Sequence, residues 1–290
     1  MPAAPQPGRP KTIVIAGCGD LGTETGLRFE AAGHRVVGIR RSADVLPPSF
    51  ERQSVDLRTS CPVVPPETDV VVVALTAGER TASAYRATYL DGLRHVLDGV
   101  ERAGATPRLL LVSSTAVYDV DDGSWVDEAT EARATSPTAT VLRETERELA
   151  LRVPNSVILR LGGLYGPGRE RLIDQVRAGD SRTPRGSLFT NRIHRDDAAR
   201  SIVHLALHGA PPPLVVGVDD EPAQLGDVLT FLAEQLGLPA PAPSRGRDRP
   251  QGGDRRLSNA LLRSTGFAFD HPTFREGYAA VLRGEGVRHP

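Results

Sequence analysis

The sequence predicts an α/β fold in which helices cover both faces of a doubly wound parallel sheet. Short apolar runs, rich in leucine and β-branched residues, recur through the first two-thirds of the 290-residue chain. They alternate little between polar and apolar residues, which is typical of strands buried on both faces of a parallel sheet. Helical patterns lie between these runs, and the alternation of strands with helices indicates this class of fold.

Five of the apolar runs are predicted as strands. They span residues 12–16, 35–39, 69–75, 108–112 and 156–161. One helix is predicted over residues 21–32. A second has an apolar face at helical spacing, formed by Leu93, Val96, Leu97 and Val100. Gly33 and Gly104 follow these two patterns, and glycine commonly ends a helix.

The chain is predicted to form one integrated unit with two unequal parts. Residues 1–10 contain four prolines and lack the apolar core of a signal peptide, so we expect a disordered leader on a cytoplasmic protein. Residues 11–165 form the main part of the sheet domain. Residues 166–290 supply its remaining elements and a small C-terminal lobe. In that lobe helices are predicted over residues 224–236 and 258–282, on either side of an exposed loop over 239–253.

The composition excludes several classes of function. The net charge is −1, from 35 basic and 36 acidic residues, which argues against a general nucleic-acid or anionic-membrane binder. No apolar run approaches the roughly 20 residues that a membrane span needs. The two cysteines, Cys18 and Cys61, exclude a disulfide framework and a four-cysteine zinc site. His204 and His208 have helical spacing but lack a third ligand, so no metal site is predicted. The expected partner is a small-molecule substrate.

A glycine-rich turn follows the first predicted strand directly. The sequence from Gly17 to Gly22 reads G-x-G-x-x-G between a strand and a helix. In such a turn Gly17 allows the tight bend, Gly19 lets the backbone approach a pyrophosphate, and Gly22 lets the helix pack on the strand. Asp20 and Leu21 open the helix, whose free N–H groups would face the phosphates. The sequence therefore predicts a dinucleotide-binding site of the Rossmann type.

The second predicted strand runs into Arg40 and Arg41. Sites that prefer NAD usually carry an acidic residue here, which binds the ribose 2′-hydroxyl. Arginine instead suits a 2′-phosphate, because its planar guanidinium presents a fork of donors. The sequence thus predicts that NADP(H) is preferred, with NAD(H) still possible.

Two further pairs of residues complete the predicted cofactor site. Asp56 and Leu57 are expected to flank the adenine, and Ala74 and Leu75 to pass near the ribose and pyrophosphate. Cys18 is predicted to fill space in the glycine turn rather than to act as a reactive thiol.

Three stretches farther along resemble one family. Residues 112–118, 159–169 and 191–200 resemble the S-S-x-x-V-Y, R-x-x-x-x-Y-G-P-G and R-I-H-x-D-D-x-A stretches of NAD(P)-dependent epimerase/dehydratase-like proteins. These proteins form the extended branch of the short-chain dehydrogenase/reductase superfamily. The closing segment, residues 256–277, resembles the tail of an atypical subgroup of that branch. The resemblance implies a Rossmann core, a small C-terminal substrate lobe and oxidoreductase or epimerase-like activity.

The family resemblance also exposes a departure in the catalytic residues. Family members work through a serine or threonine with a tyrosine and a lysine at i and i+4 on one helix. Ser114 occupies the first of these positions. Alignment on Glu146 places Thr138 at the tyrosine position and Leu142 at the lysine position. The chain is therefore expected to have a non-standard active site.

The acidic residues of the family's dehydratases are missing as well. In those enzymes acids follow the serine or threonine, whereas here Thr115 and Ala116 follow Ser114. The resemblance therefore does not extend to the usual acid/base set for dehydrating a sugar nucleotide.

Three residues are candidates to replace the missing proton donor. In order they are Tyr118, Tyr165 and His194. The two tyrosines are predicted near the carboxyl edge of the sheet, where ligands bind. Each has a plainer interpretation. The tyrosines would pack or form structural hydrogen bonds, and the histidine would orient the loop before the next helix.

Three functions remain open at this point. One is an NAD(P)-dependent oxidoreductase or epimerase-like enzyme with a substituted proton donor. Another is a non-redox lyase, cyclase or isomerase that keeps the cofactor as a structural element. The third is a non-catalytic protein that senses NADP(H).

Overall fold

A computed structural model describes residues 9–244 and 253–290 of the chain. Residues 1–8 of the predicted leader and residues 245–252 of the predicted exposed loop lie outside the described residues.

The described residues contain the five predicted strands, each within two residues of its predicted bounds, and further strands that the apolar runs did not predict. They are β1 Thr12–Ala16, β2 Arg35–Arg40, β3 Glu51–Ser54, β4 Thr68–Val73, β5 Arg108–Ser114, β6 Trp125–Val126, β7 Val157–Leu161, β8 Gly163–Tyr165, β9 Phe189–Thr190, β10 Arg192–His194, β11 Leu214–Gly217, β12 Ala223–Gln224 and β13 Arg256–Leu257. Helices lie between several of these strands and also follow the last one. They are α1 Asp20–Ala31, α2 Ala82–Tyr85, α3 Gly92–Ala103, α4 Pro137–Arg152, α5 Arg171–Arg177, α6 Arg195–Leu207, α7 Leu225–Gln235, α8 Ala260–Ser264 and α9 Phe274–Leu282.

Seven strands form one parallel sheet in the order β11-β7-β5-β4-β1-β2-β3. The predicted doubly wound α/β class is confirmed. The chain winds outwards from β1 in both directions, so the order reverses between β1 and β4. Ligands of such sheets bind at this reversal, outside the carboxyl ends of the strands.

Two apolar layers hold the helices on the sheet. Along β1, Ile13 and Ile15 face the layer that contains Ile202 of α6, and Val14 faces the opposite layer. The opposite layer also contains Leu93, Val96, Leu97 and Val100, the predicted apolar face of α3. Gly104 ends that helix in the left-handed conformation, with φ of 63°.

The C-terminal lobe has its own apolar cluster, built from α5, α7 and α9. The helix predicted over residues 258–282 is interrupted, because α8 ends at Ser264 and α9 starts only at Phe274. Gly266 after α8 has φ of 89°, which breaks the helical path. Thr273 then caps α9 through a reciprocal capping box with Glu276.

No helix within residues 9–244 and 253–290 is both long enough and apolar enough to cross a membrane.

Candidate functional site

The glycine turn between β1 and α1 has a different constraint at each glycine. Gly17 has φ of 89°, and a Cβ there would lie 2.6 Å from the Ala74 carbonyl oxygen. A Cβ on Gly22 would lie 2.7 Å from the Gly17 carbonyl oxygen and 3.2 Å from Ile15 Cγ2. A Cβ on Gly19, by contrast, would meet no atom of the described residues within 4 Å. Gly17 and Gly22 therefore serve close packing, whereas Gly19 borders open space.

This turn fits the pyrophosphate of a dinucleotide. The open space at Gly19 lies where α1 begins, and the first turn of a helix leaves N–H groups free for an anion. The turn is held to the end of β2, because the amides of Gly17 and Cys18 both donate to the Ile39 carbonyl at 3.0 and 2.9 Å. The turn is therefore anchored to the end of β2, next to Arg40.

Cys18 lies inside this turn and is fully buried. Burial raises the pKa of its thiol to about 11, against a smaller lowering by the Thr23 hydroxyl. The thiol therefore stays protonated at neutral pH, as expected for a residue that fills space.

Arg40 and Arg41 lie at the carboxyl end of β2, as the sequence predicts. Arg40 is partly buried, and Arg41 is exposed. Arg40 Nη1 donates to the carbonyl of Pro290 at 2.7 Å. This contact joins two residues that are 250 positions apart in the chain.

Of the other predicted cofactor residues, one pair lies at the glycine turn and the other pair makes contacts elsewhere. Ala74 and Leu75 lie against Gly17, since a Cβ on that glycine would come within 3.0 Å of both. Leu57 is buried under α3. Asp56 instead turns to Arg58, whose guanidinium hydrogen bond lowers the pKa of the carboxyl to about 2.

The Asp20 side chain is engaged within the protein. Its carboxylate accepts hydrogen bonds from Arg195 Nη1 at 2.7 Å and from Arg169 Nε at 2.8 Å. Arg169 belongs to the Y-G-P-G-R stretch and Arg195 opens α6, so Asp20 ties both segments to the glycine turn. Its predicted contact with a cofactor is consequently left to the backbone at the start of α1.

Ser114 ends β5 at the carboxyl edge of the sheet. Its Oγ accepts a hydrogen bond from the Ala116 amide at 3.2 Å. This contact uses an oxygen lone pair, so the hydroxyl proton can point to a ligand.

The two positions that carry tyrosine and lysine in the family lie on α4. Thr138 is partly exposed in the first turn. Leu142 is only 5% exposed and packs in an apolar cluster with Val117, Val216 and Leu257. The lysine position is thus part of a hydrophobic core, and neither residue can donate a proton as a tyrosine and lysine pair does.

Tyr118 is buried in the same cluster. Its hydroxyl donates to the Asp127 carbonyl at 3.0 Å, and the guanidinium carbon of Arg160 lies 4.9 Å from the ring centroid. Burial raises the pKa of the hydroxyl. The hydroxyl is therefore tied to the main chain, although it follows Ser114 by only four residues.

Tyr165 and His194 lie together on the side of the C-terminal lobe, with ring centroids 5.3 Å apart. Burial raises the pKa of Tyr165, whose hydroxyl is 3.5 Å from the Thr273 carbonyl. His194 caps α6 by accepting from the Asp196 amide, and burial lowers its pKa to about 4. The three donor candidates thus form two groups, with only Tyr118 in the loop that follows Ser114.

Sequence reasoning overlooked a pair of tyrosines after β4. Tyr85 and Tyr89 lie in and after α2, with ring centroids 5.0 Å apart. Both pack on the apolar cluster that contains Leu142. Their signal in the sequence was their i, i+4 spacing in a chain with only five tyrosines.

Arg255 was overlooked as well, since nothing in the sequence distinguishes it from other arginines. It is 5% exposed and donates to the carbonyls of Thr115 at 2.8 Å and Tyr118 at 3.2 Å. Arg255 therefore holds in place the loop that follows Ser114.

No family model matches the sequence. A solved structure from Methylobacillus flagellatus, assigned as an NAD-dependent epimerase/dehydratase, is 34% identical to the chain and has a TM-score of 0.78. The alignment covers 96% of this chain and 99% of that one. The chain belongs to the NAD-dependent epimerase/dehydratase family. The resemblance to the extended branch of the short-chain dehydrogenases/reductases is thereby confirmed.

Two further proteins are similar to the chain at lower identity. The UDP-glucose 4-epimerase of Thermus thermophilus, solved with NAD, shares the fold at 20% identity and a TM-score of 0.73, over 92% of this chain and 96% of that one. A 3-diazoavenalumate denitrifying reductase from a Streptomyces species is 28% identical over 92% of this chain and 98% of its own length.

Proposed function

We propose that the protein is an NADP(H)-preferring reductase that acts on an electrophile needing no proton from the enzyme. One observation carries this proposal. Leu142 is buried in an apolar cluster at the position where the family's lysine tunes its tyrosine, and Thr138 occupies the tyrosine position. Reduction of a ketone requires a proton for the alkoxide, so this site is poorly equipped for it.

The cofactor would be held by the glycine turn and the end of β2. The open space at Gly19 suits the pyrophosphate, and Arg40 and Arg41 suit a 2′-phosphate through charge-assisted hydrogen bonds. When bound, the reduced nicotinamide supplies a hydride. The cytoplasm, which we propose as the location, provides this cofactor in its reduced form.

For the substrate we propose an aryl diazonium compound. The Streptomyces relative is named for a diazo substrate and for a denitrifying reduction. An aryl diazonium cation that accepts one hydride gives the arene and dinitrogen, while the reduced cofactor becomes oxidised. Atoms and charge balance without a proton, which matches a site that has lost its proton donor.

The residues around Ser114 suit an aromatic substrate. Tyr85 and Tyr89 are partly exposed and form an apolar surface over the buried cluster that contains Leu142, beside the loop that follows Ser114. An aryl ring would pack on such a surface. The Ser114 hydroxyl would then orient the substrate through a hydrogen bond to one of its polar atoms.

The test compares two substrate panels with the purified protein and NADPH. One contains benzenediazonium carboxylates, and the other contains ketones, aldehydes and sugar nucleotides. We expect NADPH oxidation and dinitrogen release in equal amounts with the first panel only. The Gly19→Val variant corrects for reduction of the diazonium by free NADPH. Turnover of the carbonyl panel alone would contradict the proposal.

The two remaining alternatives have their own outcomes in this test. Conversion of a substrate without net NADPH oxidation would favour a non-redox lyase or isomerase. Tight NADPH binding without conversion of either panel would favour a protein that senses NADP(H).

A further inference from the structure

Residues 286–290, called the strap here, lie across the glycine-turn side of the Rossmann core. Arg195 Nη2, on a fully buried residue, donates to the Val287 carbonyl at 2.7 Å. Arg288 Nη1 donates to the Gly168 carbonyl at 2.8 Å. Gly286 has φ of 85°, and a Cβ there would lie 2.6 Å from Pro167 Cγ. The strap is therefore fitted closely against the Y-G-P-G stretch.

The next residue of the strap binds the first turns of α1. The His289 amide donates to Asp20 Oδ1 at 3.1 Å. The His289 ring bonds Glu24 Oε2 through Nε2 at 2.8 Å. Asp20 and Glu24 are one helical turn apart, so the strap lies along α1 beginning at the turn that suits a pyrophosphate.

The last residue of the strap contacts Arg40, which we expect to recognise the 2′-phosphate. The Pro290 carbonyl accepts from Arg40 Nη1 at 2.7 Å. The strap thus runs from the start of α1 to the end of β2. The adenosine half of a dinucleotide follows the same course in Rossmann folds, from the pyrophosphate at the helix to the ribose at the second strand.

We propose that the strap competes with the cofactor's 2′-phosphate for Arg40 and must leave before that end of NADP(H) can bind. This inference rests on the proposed preference for NADP(H). A phosphate carries nearly two negative charges and offers several oxygens for charge-assisted hydrogen bonds to a guanidinium, whereas Pro290 offers Arg40 a single hydrogen bond. The phosphate therefore displaces the strap. Because the strap's other contacts must break at the same time, they lower the affinity for the cofactor.

The test measures binding of adenosine 2′,5′-bisphosphate to the full chain by calorimetry. His289→Ala removes the ring contact with Glu24 and weakens the strap without changing Arg40. We expect this variant to bind the bisphosphate about threefold to tenfold more tightly than the wild type, the range that one hydrogen bond represents. Arg283→Ala is the matched control, because this exposed arginine after α9 pairs only with Glu285 in the described contacts. It should bind like the wild type.

Hydrogen exchange of residues 284–290 provides a second readout. The bisphosphate should speed exchange in this segment if it displaces the strap. Slower exchange, or weaker binding by His289→Ala, would show that the strap clamps the ligand and would overturn the proposal. Failure of the bisphosphate to bind any variant would overturn it too. These measurements do not use turnover, so loss of the proposed reductase activity would leave them readable.

Discussion

Arg160 forms a two-pronged ion pair with Glu146 in the interior of the protein. Arg160 Nε is 3.0 Å from Glu146 Oε1, and Nη2 is 2.6 Å from Oε2. Both side chains are 8% exposed. The Ser113 hydroxyl also donates to Oε1 at 2.6 Å. Because Arg160 lies on β7 and Glu146 on α4, the pair locks that helix onto the sheet beside Ser114.

Loss of this carboxylate should destabilise the fold strongly. Glu146→Ala leaves the Arg160 guanidinium buried without its counter-charge, which typically costs about 3–5 kcal/mol. Urea unfolding measures the change. Glu148→Ala is the matched control on the same helix, since Glu148 pairs with the largely exposed Arg94. It should cost no more than about 1 kcal/mol. Similar losses for both variants would contradict the structural role of Glu146.

The substitution Gly19→Val should separate an effect on cofactor binding from an effect on the stability of the fold. Gly19 has a negative φ of −86°, and a Cβ added there would point into open space. Gly19→Val should keep a melting temperature near that of the wild type and lose NADPH binding in a fluorescence titration. Gly17→Val should instead destabilise the fold, because φ is 89° and the Cβ meets the Ala74 carbonyl. Unchanged NADPH binding by Gly19→Val would show that the turn is not the cofactor site.

The charge at Arg40 should decide the choice between cofactors. The wild type should bind NADPH more tightly than NADH. Arg40→Asp should reduce this ratio by about tenfold or more, because it removes a phosphate ligand and adds repulsion. Arg102→Asp, at an exposed site in the last turn of α3, controls for net charge and should leave the ratio unchanged. Equal affinities for the two cofactors in the wild type would refute the preference.

The two polar residues of the altered active site should differ in importance. Thr138→Ala should keep kcat/KM for the diazonium substrate within about tenfold of the wild type, a barrier change below about 1.4 kcal/mol. Ser114→Ala should lose more, because its hydroxyl orients the substrate. Steady-state kinetics on both variants gives the answer. The reverse order would mean that Thr138 has taken over the tyrosine's role.

Acid should weaken the fold through His194. Burial lowers the pKa of this histidine from 6.5 to about 4, so the unfolded chain binds the proton first. The unfolding free energy should therefore fall as the pH drops from about 6.5 to about 4. His271, stacked 3.9 Å away, opposes this trend because Asp197 raises its pKa. His194→Asn keeps a good helix cap and should flatten the pH dependence measured by urea unfolding. An unchanged slope would exclude His194 as the source.

The sequence by itself determined the elements whose signal is local. The run from Thr12 to Ala16 is buried along its whole length, so its apolar character predicted β1 at both ends. The helix after the glycine turn was placed within one residue of α1. The different roles of Gly17, Gly19 and Gly22 follow from their spacing, because the turn is formed by neighbours in the chain.

Other elements had no local signal to find. β3 has the sequence Glu51-Arg52-Gln53-Ser54 and lies at the edge of the sheet, where exposed side chains need not be apolar. The break between α8 and α9 depends on Gly266 and on the Thr273 cap, which helical periodicity alone does not reveal.

Only the tertiary structure decided which contacts the side chains of the site make. Sequence alignment located Leu142 at the lysine position, but only packing with residues from distant strands made it part of a core. In the sequence Tyr118 was a candidate proton donor, but in the fold its hydroxyl donates a hydrogen bond to the Asp127 carbonyl. The bond between Arg40 and Pro290 joins nearly the full length of the chain. Periodicity and motif spacing report on neighbours in the chain, whereas these contacts form only when remote segments meet, so no local pattern could carry them.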